Sequence, residues 1–442
     1  MRILICLLLL LLGYGATSQS YILFVGTYTN TGNLNNPGAR LDSTGSKGIY
    51  VYRFDGGTAT KSGGEGRRDG SRTGDGGNGT KAGAKVVGAE GGKVRVTLLS
   101  HTAPDVVCNP SYLAIAPDGR HLYACTESRM LNAGSVSAFE LDRGKGRLRF
   151  IGKQASGGDN PAYVSVGQEG RHVAVANYTG GSLSVYPVGK EGELLRASIN
   201  IRHFGHSIDS VRQDRAHVHS VVFSPDGRYL YTQDLGMDKI MIDAFDELKE
   251  PPLEDHGAGV GGAGGGAGGR AQGGAAGEGT VAAVGGSGPR HLTFHPNGRY
   301  AYLVEEMGGS VDVYRYHPET GALDLLQRIA AHPQEARGPF RSADIHVAPD
   351  GRYLYASNRE DSTIAIFSIE PATGLLKTVG YQSTFGKEPR NFMLDPSGRF
   401  LLVANQESNN IVIFRVDRET GLLRKTGETI AVPAPTCLKM LP

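Results

Sequence analysis

Downstream of Cys108, apolar and polar residues alternate with a period of two in short runs, the pattern of strands that bury one face. Each run such as HLYAC, YLYTQ or YLYAS follows a tight turn, and a second alternating stretch precedes that turn. The turn itself recurs as Pro117-Asp118-Gly119-Arg120, Pro225-Asp226-Gly227-Arg228, Pro296-Asn297-Gly298-Arg299, Pro349-Asp350-Gly351-Arg352 and Pro396-Ser397-Gly398-Arg399. A degenerate copy is Gln168-Glu169-Gly170-Arg171. Proline presets φ, glycine supplies positive φ, and β-branched or aromatic residues flank them, so each copy predicts a hairpin.

The turn glycines are spaced 51, 57, 71, 53 and 47 residues apart. Further turns follow in most units, at Gly134-Ser135, Gly181-Ser182 and Gly309-Ser310 and then at Thr320-Gly321, Thr373-Gly374 and Thr420-Gly421. Four short strands per unit at a period near 50 residues predict β-propeller blades. Six units are explicit. A seventh is split: Tyr21–Thr27 and Gly48–Phe54 supply strands at one end of the chain, and Pro435–Met440 supplies a first strand at the other. Pairing Tyr21–Thr27 with Pro435–Met440 would close the ring and cover two edges. The expected fold is therefore an all-β, seven-bladed β-propeller over residues 19–442.

Two stretches break the pattern, at about 56–93 and 256–287, and they hold much of the chain's 65 glycines. Neither carries enough apolar surface to offset ordering entropy, so both are expected to be loop insertions between strands. No phosphate-loop glycine motif sits between a strand and a helix in them. Residues 1–18 combine Arg2, an apolar run from Ile3 to Leu12 and small residues at Ala16 and Ser18, which predicts a cleavable secretory signal and export to the periplasm or medium. The apolar run is too short to span a bilayer comfortably, so no membrane span is expected after cleavage. Cys108, Cys125 and Cys437 then remain. Pairing about the hairpin turn places Cys125 opposite Tyr112 rather than Cys108, so no disulfide is expected between them. A net charge of +2 without a basic stripe argues against nucleic-acid binding. No Cys/His spacing suggests a metal site, and no cofactor is implied.

Aligning the units by their turns shows which residues share a ring. One residue after the blade-opening proline stand Ser111, Ala162, His219, Arg290, Ala343, Arg390 and Thr436. Seven residues after the turn arginine stand Glu127, Tyr178, Leu235, Glu306, Arg359 and Gln406. Antiparallel pairing puts both positions at one end of the hairpin, hence at one mouth of the channel. A simple Arg290–Glu306 salt bridge would explain that pair, but not two arginines and a histidine at one aligned position. His203 and His206 are expected at the surface. Asp234 and Asp238 do not by themselves define a cation site. Asn177 and Tyr178 could contact a sugar hydroxyl or cap a strand.

The segments FVGTYT (24–29), NPSYLAIAPDGRHLYA (109–124), ANYTGGSLSVY (176–186), HVHSVVFSPDGRYLY (217–231), GPRHLTFHPNGRYAYLVEE (288–306), SNREDSTIAIF (357–367) and EPRNFMLDPSGRFLLVANQ (388–406), in this order, are specific. The chain resembles the lactonase family of seven-bladed propellers, typified by bacterial 6-phosphogluconolactonase and including fungal carboxymuconate-lactonising enzymes. The resemblance implies a carboxylic-ester hydrolase acting on a small-molecule lactone without a metal. It matches the family's active-site residues to His219, with His217 beside it, Arg290, Glu306 and Arg359, and Arg390 to another family arginine; Arg390, His217, His291 and Asn177 are the substrate-binding candidates. Glu306 is expected to have a raised pKa beside Glu305, and His219 to titrate near neutrality. A non-catalytic secreted propeller and a lactonising enzyme are the competing readings.

Overall fold

A computed structural model describes residues 20–29, 44–57, 93–103, 105–128, 134–253 and 279–442. The signal segment 1–18 and most of both Gly-rich stretches lie outside the described residues. The strands assemble into seven four-stranded antiparallel sheets arranged as blades of a ring. Blade 1 is the split one: Pro435–Leu441 is innermost, followed outward by Ser20–Thr27, Tyr50–Asp55 and Arg95–His101. The expected closure is present, with Val25 opposite Leu438 and Gly26 opposite Cys437. The inner strands of blades 2 to 7 are Pro110–Ile115, Pro161–Val166, Val218–Phe223, Pro289–Phe294, Ser342–Val347 and Pro389–Leu394. Five of the seven begin with proline, which lacks an N–H and is at home at the start of an edge strand.

Each repeat turn works as its residues suggest. The six turn glycines adopt φ between 62° and 73°, a region that costs glycine little. In four turns the Asp or Asn side chain accepts the arginine N–H two residues on, for example Asp118 from Arg120 at 2.7 Å. The strands beyond the turn then fasten one blade to the next. Tyr300 and Tyr302 donate their hydroxyls to the carbonyls of Ala372 and Gly374, at 2.8 and 3.0 Å. Tyr229 and Tyr231 do the same to Glu319 and Gly321, and Tyr353 and Tyr355 to Glu419 and Gly421. The turn arginines join in, with Arg299 Nη2 on the Pro371 carbonyl at 3.0 Å. The Gly-Arg-Tyr-x-Tyr and Thr-Gly motifs are thus two halves of one inter-blade clasp. Apolar clusters fill the space between neighbouring sheets.

The second insertion is shorter than expected. Residues 279–282 form the outer strand of blade 4, with Val281 opposite Ile240, because Thr-Val-Ala supplies the β-propensity that the preceding glycines lack. The described flanks place the two insertions between the third and outer strands of blades 1 and 4. Cys125 stands opposite Tyr112, and no disulfide joins any two of Cys108, Cys125 and Cys437.

The clasp gives a direct test. Gly374 has φ +73°, and a Cβ there would lie 2.4 Å from the Tyr300 ring. Gly374→Ala is expected to destabilise the fold by roughly 1–3 kcal/mol, and Tyr302→Phe by about 1 kcal/mol. Gly380→Ala, with nothing within 4 Å of the added Cβ, is the control and should leave the thermal midpoint near that of the parent.

Candidate active site

The mouth residues reach the channel through a repeated irregularity. In every blade the ladder between the inner strand and its neighbour slips near the start of the inner strand. Pro289 pairs with Glu305 and His291 with Val304, which leaves Arg290 unpaired; His219 and Arg390 are skipped in the same way. Such a β-bulge turns a side chain out of the pleat. It delivers His219, Arg290 and Arg390 to one end of the channel, where the residues after the second strands, Glu306 and Arg359, also arrive.

Glu306 is the centre of the cluster. It is buried, yet its Oε2 accepts from Arg290 Nε at 2.9 Å and lies 3.1 Å from Arg359 Nη2 and 3.7 Å from His219 Nε2. Its Oε1 accepts from Arg212 Nη2 at 2.6 Å. Burial by itself would raise its pKa, but the guanidiniums of Arg359, Arg212 and Arg290 outweigh it and hold the carboxyl well below the usual range. The raised carboxyl is instead Glu305, pushed well above its ordinary value by burial and by Asp312. Adjacent residues in an extended chain face opposite ways. Glu305 therefore points into the blade, near Arg328 at 3.4 Å, while Glu306 points to the mouth.

His219 also departs from expectation. Burial and then the Arg290 charge push its pKa well below the ordinary histidine value, against the pull of Glu306, so it is a neutral imidazole at neutral pH. Its Nδ1 is buried without a hydrogen-bond partner, and its ring meets those of Tyr178 and His291 edge-on at 5.3 and 5.4 Å. Arg290 Nη1 donates to the Ala343 carbonyl and lies 3.2 and 3.5 Å from the two nitrogens of His291. Near-equal distances to both nitrogens put the guanidinium over the imidazole face rather than in its plane. His291 is fixed by donating Nδ1–H to Asp344 Oδ1 at 2.8 Å. Burial and Arg290 push its pKa down to about 3, so it offers Arg290 an uncharged platform. Beneath it Tyr112 stacks on Tyr163 at 4.0 Å, and His291 meets both edge-on, which closes the floor below the mouth. His291 is part of that floor.

Arg390 stands over the Tyr28 ring at 5.7 Å, with its Nη2 3.7 Å from Glu127. Arg359 is held by the Arg341 carbonyl at 2.9 Å and lies 3.5 Å from Glu388. His217 stacks on Tyr178 at 4.8 Å and bonds to Asp214 at 3.0 Å. Asn177 is not brought to the mouth. It is fully buried and donates Nδ2 to the Ser156 carbonyl at 3.1 Å, tying in the connection from the previous blade. Asn358 and Asn405 occupy the same repeat position and bind Ala331 and Thr384 likewise. His203 is not at the surface but buried against Asp234 at 2.8 Å, whereas His206 is exposed. Asp234 and Asp238 are occupied by backbone N–H groups, from His217 and from Gly286 and Gly288. Asp361, His332 and Ser342 line up as in a hydrolytic triad. Ser342 is fully buried and donates to Asn358 Oδ1 at 2.9 Å, so the set joins blade ends and offers no nucleophile.

Arg212 falls on none of the aligned repeat positions. It lies on the irregular connection between the outer strand of blade 3, Ile199–Arg202, and the inner strand of blade 4, where no repeat position exists to align. The only available signal was its cation type within a polar connection.

A family model for Lactonase, 7-bladed beta-propeller, matches residues 79–440. A 6-phosphogluconolactonase of Formosa agariphila is 38% identical over 298 residues, covering 66% of this chain and 76% of that protein. A 6-phosphogluconolactonase of Bacillus subtilis is 32% identical over 333 residues, covering 75% and 87%. The solved structure of a periplasmic gluconolactonase of Pseudomonas aeruginosa superposes with a TM-score of 0.73 at 32% identity, covering 96% of this chain and 99% of that one. With seven closed blades and a match over most of its length, the chain belongs to the lactonase family of seven-bladed β-propellers.

Proposed function

We propose that the protein is a carboxylic-ester hydrolase that opens a sugar-derived lactone at the mouth centred on Glu306. The observation that carries this reading is a neutral imidazole, His219, held 3.7 Å from an ionised carboxylate that is ringed by guanidiniums. Lactone hydrolysis needs a proton acceptor for water, positive charge at the developing oxyanion, and a proton for the departing ring oxygen. In the proposed course, water attacks the lactone carbonyl carbon while its proton passes to His219 Nε2. Glu306 stabilises the imidazolium that forms. Arg290 and Arg359 face the oxyanion of the tetrahedral intermediate. The carbon–ring oxygen bond then breaks, the imidazolium returns its proton to the leaving oxygen, and an aldonic acid is released. Glu306, an ion-paired carboxylate of low basicity, acts through charge and position rather than as the base.

Three related proteins named in this way, two 6-phosphogluconolactonases and a gluconolactonase, support a sugar lactone as substrate. The signal-like segment 1–18 and the periplasmic setting named for the third support export.

Arg290→Ala and Glu306→Gln are each expected to lower kcat/KM on glucono- and 6-phosphogluconolactone by about 10²- to 10³-fold. Unchanged values in both would remove these residues from the mechanism. The pH dependence carries its own sign. Glu306 is held below the usual carboxylate range and stays ionised until the pH falls through that lowered value, and His219 stays neutral until the pH falls through its lowered one. The kcat/KM for gluconolactone should therefore be flat from about pH 6 to 8. An acidic limb near the ordinary histidine value that vanishes in His219→Asn would sink this assignment.

A further inference from the structure

Arg212 differs from the other guanidiniums of the cluster. The side chains of Arg290 and Arg359 are 2% and 4% exposed, whereas that of Arg212 is 39% exposed. Its inner edge is spoken for: Nη2 donates to Glu306 Oε1 at 2.6 Å and to the Tyr178 hydroxyl at 3.2 Å. Its Nε and Nη1 donate to no partner among the described residues, and neither is a buried orphan, so both reach solvent.

The connection that carries Arg212 is held in one shape. Asp209 accepts the N–H groups of Val211 and Arg212 at 2.9 Å each. Gln213 is fully buried; it donates Nε2 to the Leu235 carbonyl at 2.9 Å and accepts from the Asp209 N–H at 3.1 Å. Ser207 donates to Asp238 at 2.5 Å, and His203 bonds to Asp234 at 2.8 Å. The backbone presses so closely on blade 4 that a Cβ at Gly236 would lie 1.9 Å from the Arg215 carbonyl. An exposed arginine ordinarily samples many rotamers at little cost. Here a fixed loop and two bonds on one nitrogen hold the remaining N–H groups outward, as a preset fork for an anion.

The surrounding charge fits an anion too. Arg212, Arg290, Arg359 and Arg390 stand among the carboxylates of Glu127, Glu306 and Glu388, which leaves the cluster one positive charge in excess. The buried guanidiniums are engaged around Glu306, close to where the carbonyl must react. A charged group on the far arm of the substrate meets Arg212 first.

We propose that Arg212 is the receptor for an anionic group, phosphate or carboxylate, on the arm of the lactone remote from the reacting ester. It thereby sets a preference for charged over neutral lactones. This inference rests on the lactone reading of the same site.

The test compares the parent protein with Arg212→Gln and Arg212→Lys on three lactones: 6-phosphogluconolactone, a glucarolactone carrying a free carboxylate, and neutral gluconolactone. The parent should favour at least one charged lactone, and the pair of charged substrates shows whether phosphate or carboxylate is the better fit. In Arg212→Gln the ratio of kcat/KM for that charged lactone to kcat/KM for gluconolactone should fall by about 10- to 100-fold. Arg212→Lys should lose less, because it keeps the charge but not the fork. A ratio that stays constant while both values drop would show that Arg212 only braces Glu306, and would overturn the proposal. A parent with no preference for charge would overturn it as well. Calorimetric titration with 6-phosphogluconate and with gluconate separates this inference from the lactonase reading. If no lactone is hydrolysed, the lactonase reading fails. The assignment of Arg212 as an anion receptor then stands if the parent binds 6-phosphogluconate more tightly than gluconate and Arg212→Gln does not, and it falls if the two proteins bind alike.

Discussion

A carboxylate buried almost completely depends on its partners. Taking an ion from water into a protein costs several kcal/mol, and the cost is offset only by close opposite charge and hydrogen bonds. Glu306 meets this condition through groups from separate parts of the chain: Arg290 on its own hairpin, Arg359 on blade 6 and Arg212 on the connection into blade 4. Arg359 and Arg212 cannot be in place unless neighbouring blades stand at the right angle about one axis. The tyrosine clasps and the pairing of Ser20–Thr27 with Pro435–Leu441 hold them there. Burial that would be a liability in an isolated hairpin becomes, in the closed ring, a fixed field around a neutral histidine.

The repeat explains how one scaffold presents different chemistry at equivalent places. Each inner strand carries a bulge near its start, so the bulged position is delivered to the mouth whatever residue occupies it. Small residues at Ser111, Ala162 and Ala343 leave room there, and His219, Arg290 and Arg390 fill the rest. One position earlier on the second strand the side chain turns into the blade, and the residues there serve the fold. Asn177, Asn358 and Asn405 bind the incoming connection, and Asp234 holds the His217 N–H. A shift of one residue along an extended chain thus separates scaffold from site.

That one-residue alternation also accounts for how the charges divide. Glu305 and Glu306 are neighbours in sequence, and proximity alone would suggest mutual repulsion and a shared proton. The backbone points them apart, one toward Asp312 and Arg328, the other toward the guanidiniums. The acid that holds its proton more tightly is the one inside the blade. The carboxylate at the mouth remains charged, and the protonatable group near it is His219.

The recurring turns, their spacing near 50 residues and the split first unit determined the seven-bladed ring, its closure and the rings of aligned residues, because hairpin signals are local and the repeat is periodic. The same alignment brought His219, Arg290, Glu306, Arg359 and Arg390 to one mouth, since equivalent repeat positions must be equivalent in space. Other features were decided only by the tertiary structure. The ionisation of Glu306 and His219 depends on which charges lie across the channel, and no residue's neighbours in sequence disclose that. Asn177 and His291 became parts of the frame through partners in other blades. Arg212 stands on an aperiodic connection, so its place beside Glu306 follows from how that connection packs on blade 4 rather than from any pattern along the chain.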